Sequence, residues 1–217
     1  MKKSLIMAAV VVFGFANVNA QESVSTLGYA NNQEEGSFGF DEGDIFIEGT
    51  VGFGSTNDKN SETKTNNFNI SPKAGYFIME NLAVGIDVAY SSYKREVAGT
   101  DTNDRSGFGA GVFGRYYFLD LGKRFKTYTE LGLGYTSDKD KIVDVTNNTF
   151  GAGLDLGINY FVTEKIALTF GLKNLLSFSS TKADVTGAKA ETNFNLGFGD
   201  VANPFGGNAA FGLLFKL

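Results

Sequence analysis

Phe150–Val162 reads FGAGLDLGINYFV. Taken every second residue, it splits into two sets. Phe150, Ala152, Leu154, Leu156, Ile158, Tyr160 and Val162 are apolar, with an aromatic near each end. Gly151, Gly153, Asp155, Gly157, Asn159 and Phe161 are mostly small or polar, with one carboxylate in the middle. Strict alternation over this length describes a β-strand whose two faces meet different solvents. A strand of a soluble sandwich is usually about 5–6 residues long, whereas one that crosses a bilayer obliquely needs about 9–11.

The same design recurs from Asp44 onward. Further strands are predicted over about Asp44–Thr56, Asn67–Ile78, Leu82–Lys94, Gly107–Leu119, Phe125–Ser137, Ile166–Phe178 and Asn208–Leu217. Their connections alternate between long polar loops, about 57–66, 95–106, 138–146 and 179–207, and tight turns. Thr192–Gly199 also alternates; a ninth strand would break the parity, so this stretch is read as an extension of the last hairpin above the membrane. Aromatics fall near both strand ends, as expected of girdles at two headgroup levels. The pattern predicts an all-β chain, an eight-stranded antiparallel up-and-down transmembrane β-barrel, over residues 44–217.

Composition agrees. Among 217 residues there are 28 Gly, 21 Phe and 9 Tyr, only 2 Pro, and no Cys, His or Trp. Without His, serine and cysteine triads, His metal sites and His bases are all unavailable, so no enzyme, cofactor or metal site is expected. The net charge of −5 is spread out, with no basic patch to neutralise phosphates, which argues against nucleic acid as a partner.

The N-terminus reads as an export signal over residues 1–20. Lys2 and Lys3 precede the apolar run Leu5–Phe15, and Val18 and Ala20 are small residues at cleavage spacing. Cleavage after Ala20 leaves a mature chain of charge −7. Residues 21–43 are acidic and Gly-rich and are read as a flexible lead-in.

In the phase opposite to the apolar one, each strand offers one charge: Glu48, Lys73, Asp87, Arg115, Glu130, Asp155, Lys173 and Lys216. Phe77, Phe113, Tyr117, Tyr128 and Phe161 supply bulk on the same face. An eight-stranded barrel is just wide enough to be filled by side chains, and isolated charges in that space are costly. Pairing is therefore expected among Glu48–Lys73, Asp87–Arg115, Asp155–Lys173 and Lys216–Glu48. This network serves as a plug that specifies register, with an ion path as the alternative.

The architecture resembles the OmpA/OmpX-type outer-membrane β-barrel family over about residues 44–217. Gly212-Leu213-Leu214-Phe215-Lys216-Leu217 is similar to that family's C-terminal assembly signal, with Gly212, Phe215 and Leu217 at its marked positions and Leu217 where an aromatic is common. The resemblance implies residence in outer-membrane lipid, insertion by the barrel-assembly machinery, and no peptidoglycan-binding domain within this sequence. It also implies a structural or surface-interaction role through the loops, with a host or surface ligand as partner, or else a narrow porin or hydrophobic-solute conduit.

Overall fold

A computed structural model describes residues 38–197 and 209–217. The predicted signal peptide, the rest of the lead-in up to residue 37, and most of the end of the last predicted loop lie outside them.

Among the described residues there are nine strands: β1 (Ile45–Asp58), β2 (Thr63–Met79), β3 (Leu82–Val97), β4 (Thr100–Leu121), β5 (Phe125–Asp140), β6 (Val145–Phe161), β7 (Ile166–Ala183), β8 (Glu191–Leu196) and β9 (Ala209–Lys216). All pairings are antiparallel. Sequential neighbours pair from β1 to β7, β9 pairs with both β7 and β1, and the ring closes with eight members. β8 stands outside the count. It pairs only with the loop-end half of β7, Leu176–Thr181, while β9 pairs with the other half, Ile166–Leu172. The alternating stretch before Gly199 is thus a strand that extends the β7 hairpin without changing the parity of the ring.

The predicted long loops are largely strand. β4 runs for 22 residues, about 75 Å along its length, where a membrane crossing takes about 9–11 residues. Residues 57–58, 63–66, 95–97, 100–106, 138–140 and 145–146, expected in loops, instead continue the ladders. The physical reason is that an antiparallel hairpin arm satisfies its own backbone groups, so polar Thr, Asn and Lys can extend a strand into water. The β3–β4 arm ends in a two-residue turn, Ala98-Gly99, with φ of 48° and 78°. Two successive positive φ values are those of the type I′ turn that matches strand twist.

The outward face is apolar and bare. Val51, Phe53, Ile86, Val112, Leu131 and Phe211 are exposed, Phe53 at 86% and Phe211 at 72%. A water-soluble surface rarely carries so continuous an apolar area. The Phe125 and Tyr160 rings meet at a tilt, 4.7 Å between centres, near the turn end. Tyr135 faces Phe150, and Tyr90 faces Phe108, near the loop end. From Phe125 to Tyr135 is ten residues of β5, which at a tilt of about 40° spans a band about 25 Å tall. That is the apolar height of an outer-membrane barrel.

The core lies inside the tube at the turn end. Phe46, Phe77, Phe113, Tyr117, Tyr128, Phe161 and Leu214 are buried there. The lead-in takes part: its end was expected to be flexible to Gly43, yet Phe38 and Phe40 pack against this cluster. Phe40 stacks on Phe77 at 4.2 Å and meets Tyr117 at 5.0 Å and Phe161 at 5.2 Å. The Arg124 guanidinium lies 4.3 Å from the centre of the Phe38 ring. The Gly43 amide donates to the Phe77 carbonyl at 2.9 Å, and the Phe77 amide to the Asp44 carbonyl at 2.9 Å. Two aromatics that would be costly to leave in water thus cap the turn-end mouth.

Candidate functional site: a closed floor beneath a polar cup

Arg115 on β4 is the centre of the lumen and is fully buried. Its ladder neighbours explain its position: the register sets Arg115 between Ala83 of β3 and Glu130 of β5. Alternation turns Arg115 inward, and small Ala83 beside it leaves room for the guanidinium to cross the tube. Nη1 donates to Glu48 Oε2 at 2.7 Å and Nη2 to Glu48 Oε1 at 3.2 Å, a two-pronged grip on one carboxylate. Nε donates to Glu130 Oε2 at 2.7 Å. The planar fork of arginine suits such bidentate recognition, which a lysine cannot reproduce. The guanidinium carbon also lies 4.1 Å from the centre of the Tyr128 ring and 5.0 Å from that of Phe46.

The other partners extend this layer. Thr169 Oγ1 donates to Glu48 Oε2 at 3.4 Å. Asn159 Nδ2 donates to the Tyr117 hydroxyl at 3.2 Å. Lys73 Nζ reaches across the bore from β2 to Glu130 Oε1, and Lys173 Nζ lies 3.8 Å from the same oxygen. Every ring strand contributes a buried side chain to this floor: Phe46 and Glu48 from β1, Phe77 from β2, Ala83 from β3 and Arg115 from β4. Glu130 from β5, Phe161 from β6, Ala167 from β7 and Leu214 from β9 complete it.

Several expected pairings give way to others. Glu48 was expected to meet Lys73 or Lys216; it binds Arg115 instead. Arg115 was expected to meet Asp87; it binds Glu48 and Glu130. Lys216 sits at the turn end, 3.4 Å from Asp44 Oδ2, and donates to the Gly39 carbonyl at 3.0 Å. The cause is reach. Strand adjacency sets which Cα atoms face one another, but in a narrow tube a long side chain reaches the opposite wall as readily as the next strand.

Asp155, the carboxylate of the opening stretch, has two partners. Oδ2 accepts from Lys173 Nζ at 2.8 Å, and Oδ1 accepts from the backbone amide of Asn174 at 2.7 Å. The β6–β7 ladder slips here, from Leu154↔Leu176 to Leu156↔Leu172, so β7 carries two extra residues. Asn174, within the bulge, has φ of 56°. Asp155 therefore receives an amide that the bulge removes from the ladder, while holding a lysine.

Above the floor, toward the loop end, the lumen opens into a cup of about 700 Å³. Lys73, Asp87, Asp155 and Lys173 line it with Thr136, Thr149, Ser177 and Ser179. Asp87 is the member of the eight predicted charges that forms no ion pair among the described residues. The floor residues that sequence reasoning missed are Phe38, Phe40, Asn159 and Thr169. Phe38-Gly39-Phe40 carries an alternation ahead of β1, but three residues are too few to establish a period.

The predicted assembly-signal residues lie on or beside β9. Phe215 faces Ile47 of β1 and Ile166 of β7, Gly212 faces Thr169, and Leu217 is exposed with its amide donating to the Ile45 carbonyl at 2.9 Å. A Cβ on Gly212 would stand 3.0 Å from the Gly49 carbonyl oxygen, so the close approach of β1 and β9 favours glycine there.

A closed, tilted ring with lipid outside and charge inside defines a transmembrane β-barrel. The chain belongs to the outer membrane protein beta-barrel domain family, whose profile matches residues 8–200. No curated protein sequence matches it significantly. Among solved structures it is similar to the outer membrane protein OprG of Pseudomonas aeruginosa, at 14% identity and a TM-score of 0.50, covering 82% of this chain and 98% of that one. Outer Membrane Protein W of E. coli is similar at 14% identity and a TM-score of 0.47, covering 82% and 99%. Neisserial surface protein A is similar at 18% identity and a TM-score of 0.45, covering 80% and 97%. Likeness at such identities is one of fold alone.

Proposed function

We propose that this outer-membrane barrel is a non-enzymatic, non-conducting envelope protein that acts structurally or through its loop-end surface. The observation that carries this reading is the floor. Arg115, Glu48 and Glu130 are buried in mutual contact, with an aromatic layer between them and the turn-end mouth. In outer-membrane barrels the turn end faces the periplasm and the longer connections face outward. A solute entering from outside would meet the cup and then this floor. The lumen charges act as a plug that fixes register. A cleaved signal peptide over residues 1–20 exports the chain, and the barrel-assembly machinery reads Gly212, Phe215 and Leu217.

Recording from the purified protein in planar bilayers tests the reading. The expected result is membrane insertion without sustained conductance; stable, ion-selective steps would overturn it.

A second reading, a hydrophobic-solute conduit through the side wall, is favoured by one observation. Among the described residues β1 pairs with β9 only over Phe46–Gly49, and the cup reaches Phe178 and Phe211, whose rings belong to the outward face. Uptake of an alkyl probe by cells that rises with expression of this chain and is independent of conductance would favour it over the first.

A further inference from the structure

We propose that the loop-end cup is a binding site for a small hydroxylated organic cation of amino-sugar type, with Asp87 as its charge anchor. Four observations converge on it.

The first is a charge left over. The inward groups of the central lumen are Glu48, Asp87, Glu130, Asp155, Lys73, Arg115 and Lys173. The three cations are all engaged with Glu48, Glu130 and Asp155. Asp87 is the surplus carboxylate. Its ladder neighbour Lys73 is turned to Glu130 on the far wall. Lys73 and Lys173 attract Asp87 from a distance but neither contacts it. An ionisable group inside a membrane span without a contact ion pair calls for one, and here that partner is a cation.

The second is a wall kept empty. The register runs from Asp87 to Gly111, Gly134, Gly151 and then Ser179. One glycine accommodates the anchor: a Cβ on Gly111 would stand 2.8 Å from Asp87 Oδ1. The others guard nothing. A Cβ on Gly134 or Gly151 would meet only backbone, no closer than 3.4 Å, and one on Gly132 would meet nothing within 4 Å. Packing therefore does not require glycine at these positions, and their bareness preserves the volume of about 700 Å³, the size of a small-ligand site.

The third is an orphan hydroxyl. Tyr128 is buried, its ring face taken by Arg115, yet its hydroxyl has no hydrogen-bond partner. It lies 3.7 Å from where a Cβ of Gly171 would stand, and both residues line the base of the cup. A buried polar group is normally satisfied; this hydroxyl is packed over Gly157 and closed off from the cup, so a ligand satisfies it by displacing the Tyr128 ring tip. The fourth is the opposite wall, where Ser177 and Ser179 present hydroxyls and Thr149 one that it shares with Thr181 at 2.8 Å. A carboxylate on one side, hydroxyls on the other and a bare glycine wall between them suit a ring that bears one ammonium and several hydroxyls.

The cup needs only one open end, so the inference rests on the closed-floor reading in that respect. Binding and conductance are separate measurements, and a leaking floor would leave the binding result unmoved. The test is calorimetric titration of the folded, detergent-solubilised chain with glucosamine and with its neutral counterpart N-acetylglucosamine. Glucosamine is expected to bind saturably. Acetylation of the amine and Asp87→Asn should each weaken binding about 10-fold or more, as loss of a charged hydrogen bond does. Gly134→Leu, which fills the cup, should abolish it while heat-modifiable gel mobility shows the barrel folded. The acetylated sugar requires no variant, so a misfolded mutant leaves the test intact. Absence of saturable glucosamine binding, equal binding of the two sugars, or binding indifferent to Asp87→Asn would each overturn the proposal.

Discussion

At the scale of single residues, Arg115 carries the most consequence. It is buried with two carboxylates; Glu130 also meets Lys73 and Lys173, but Glu48 forms its ion pair with Arg115, and removing one member of such a cluster leaves that buried charge uncompensated. Arg115→Gln is expected to lower stability by about 3–5 kcal/mol. Urea unfolding in lipid vesicles, followed by tyrosine fluorescence because the chain has no Trp, measures it. Arg115→Lys should recover only part of the loss, since an ammonium cannot grip Glu48 with two nitrogens while reaching Glu130; full recovery would show that charge alone matters. That a charge at 115 points inward was legible from alternation, because period two assigns faces without knowledge of neighbours. Its partners were not legible. They depend on the length of side chains crossing a tube, and the small Ala83 beside Arg115 is what frees it to cross. Asp155 shows the same limit: its lysine lies on the facing strand and could be anticipated, but its second partner exists only because β7 bulges at Asn174, which no periodicity announces.

At the scale of elements, the segment before β1 behaves as part of the barrel. Phe40 touches rings from β1, β2, β4 and β6, so it ties together strands distant in sequence. Phe40→Ala should cost about 2–3 kcal/mol, less than the 3–5 of a fully buried phenylalanine because Phe40 is half-buried. The same urea titration reads this, and an unchanged midpoint would mean that the segment merely rests against the floor. The sequence around it is acidic and Gly-rich, which outweighs two aromatics in any compositional reading. The hairpin arms were misread for a related reason: Thr, Asn, Ser and charged residues are common to loops and to solvated strands, and only pairing separates them. At the tip of the first arm, Asp58 accepts from the Ser61 hydroxyl at 2.7 Å and from the Asn60 amide at 2.8 Å. These hydrogen bonds, the Ser61 hydroxyl first, hold its carboxyl below the usual range. A carboxylate so depressed supports the turn above its unfolded value of about 3.9 and ceases to as pH falls through its lower folded value. Residues 59–62 should therefore lose amide-exchange protection on acidification below about pH 4, ahead of β2 and β3; simultaneous loss would refute the capping role.

At the scale of the whole molecule, the ring is uneven. β1 and β2 share fourteen register pairs, β5 and β6 sixteen, but β1 and β9 only four among the described residues. The eight-member ring, its antiparallel order and its inside-out polarity were all legible, because each follows from strand count and alternation, which every strand repeats. The weak closure was not, since pairing between the first and last strands leaves no local mark in either. If backbone hydrogen bonds set the cohesion of each joint, unfolding starts where the fewest are shared. A disulfide across that joint tests this, and the chain has no cysteine to compete. Gly49 and Leu213 are register partners, and a Cβ on Gly49 would come no closer than 3.8 Å to any atom. Val84 and Gly114 are partners in the broad β3–β4 joint, where a Cβ on Gly114 meets nothing within 4 Å, and they serve as the control. Oxidised Gly49→Cys/Leu213→Cys should slow unfolding in urea by at least about 10-fold over its reduced form, while oxidised Val84→Cys/Gly114→Cys changes the rate little. A lock introduced where opening begins must raise the barrier to opening, whereas one placed in a joint still intact at the barrier acts mainly after it. Equal slowing by the two locks would mean that the barrel unfolds as a single unit, with the β1–β9 joint no weaker in effect than the rest.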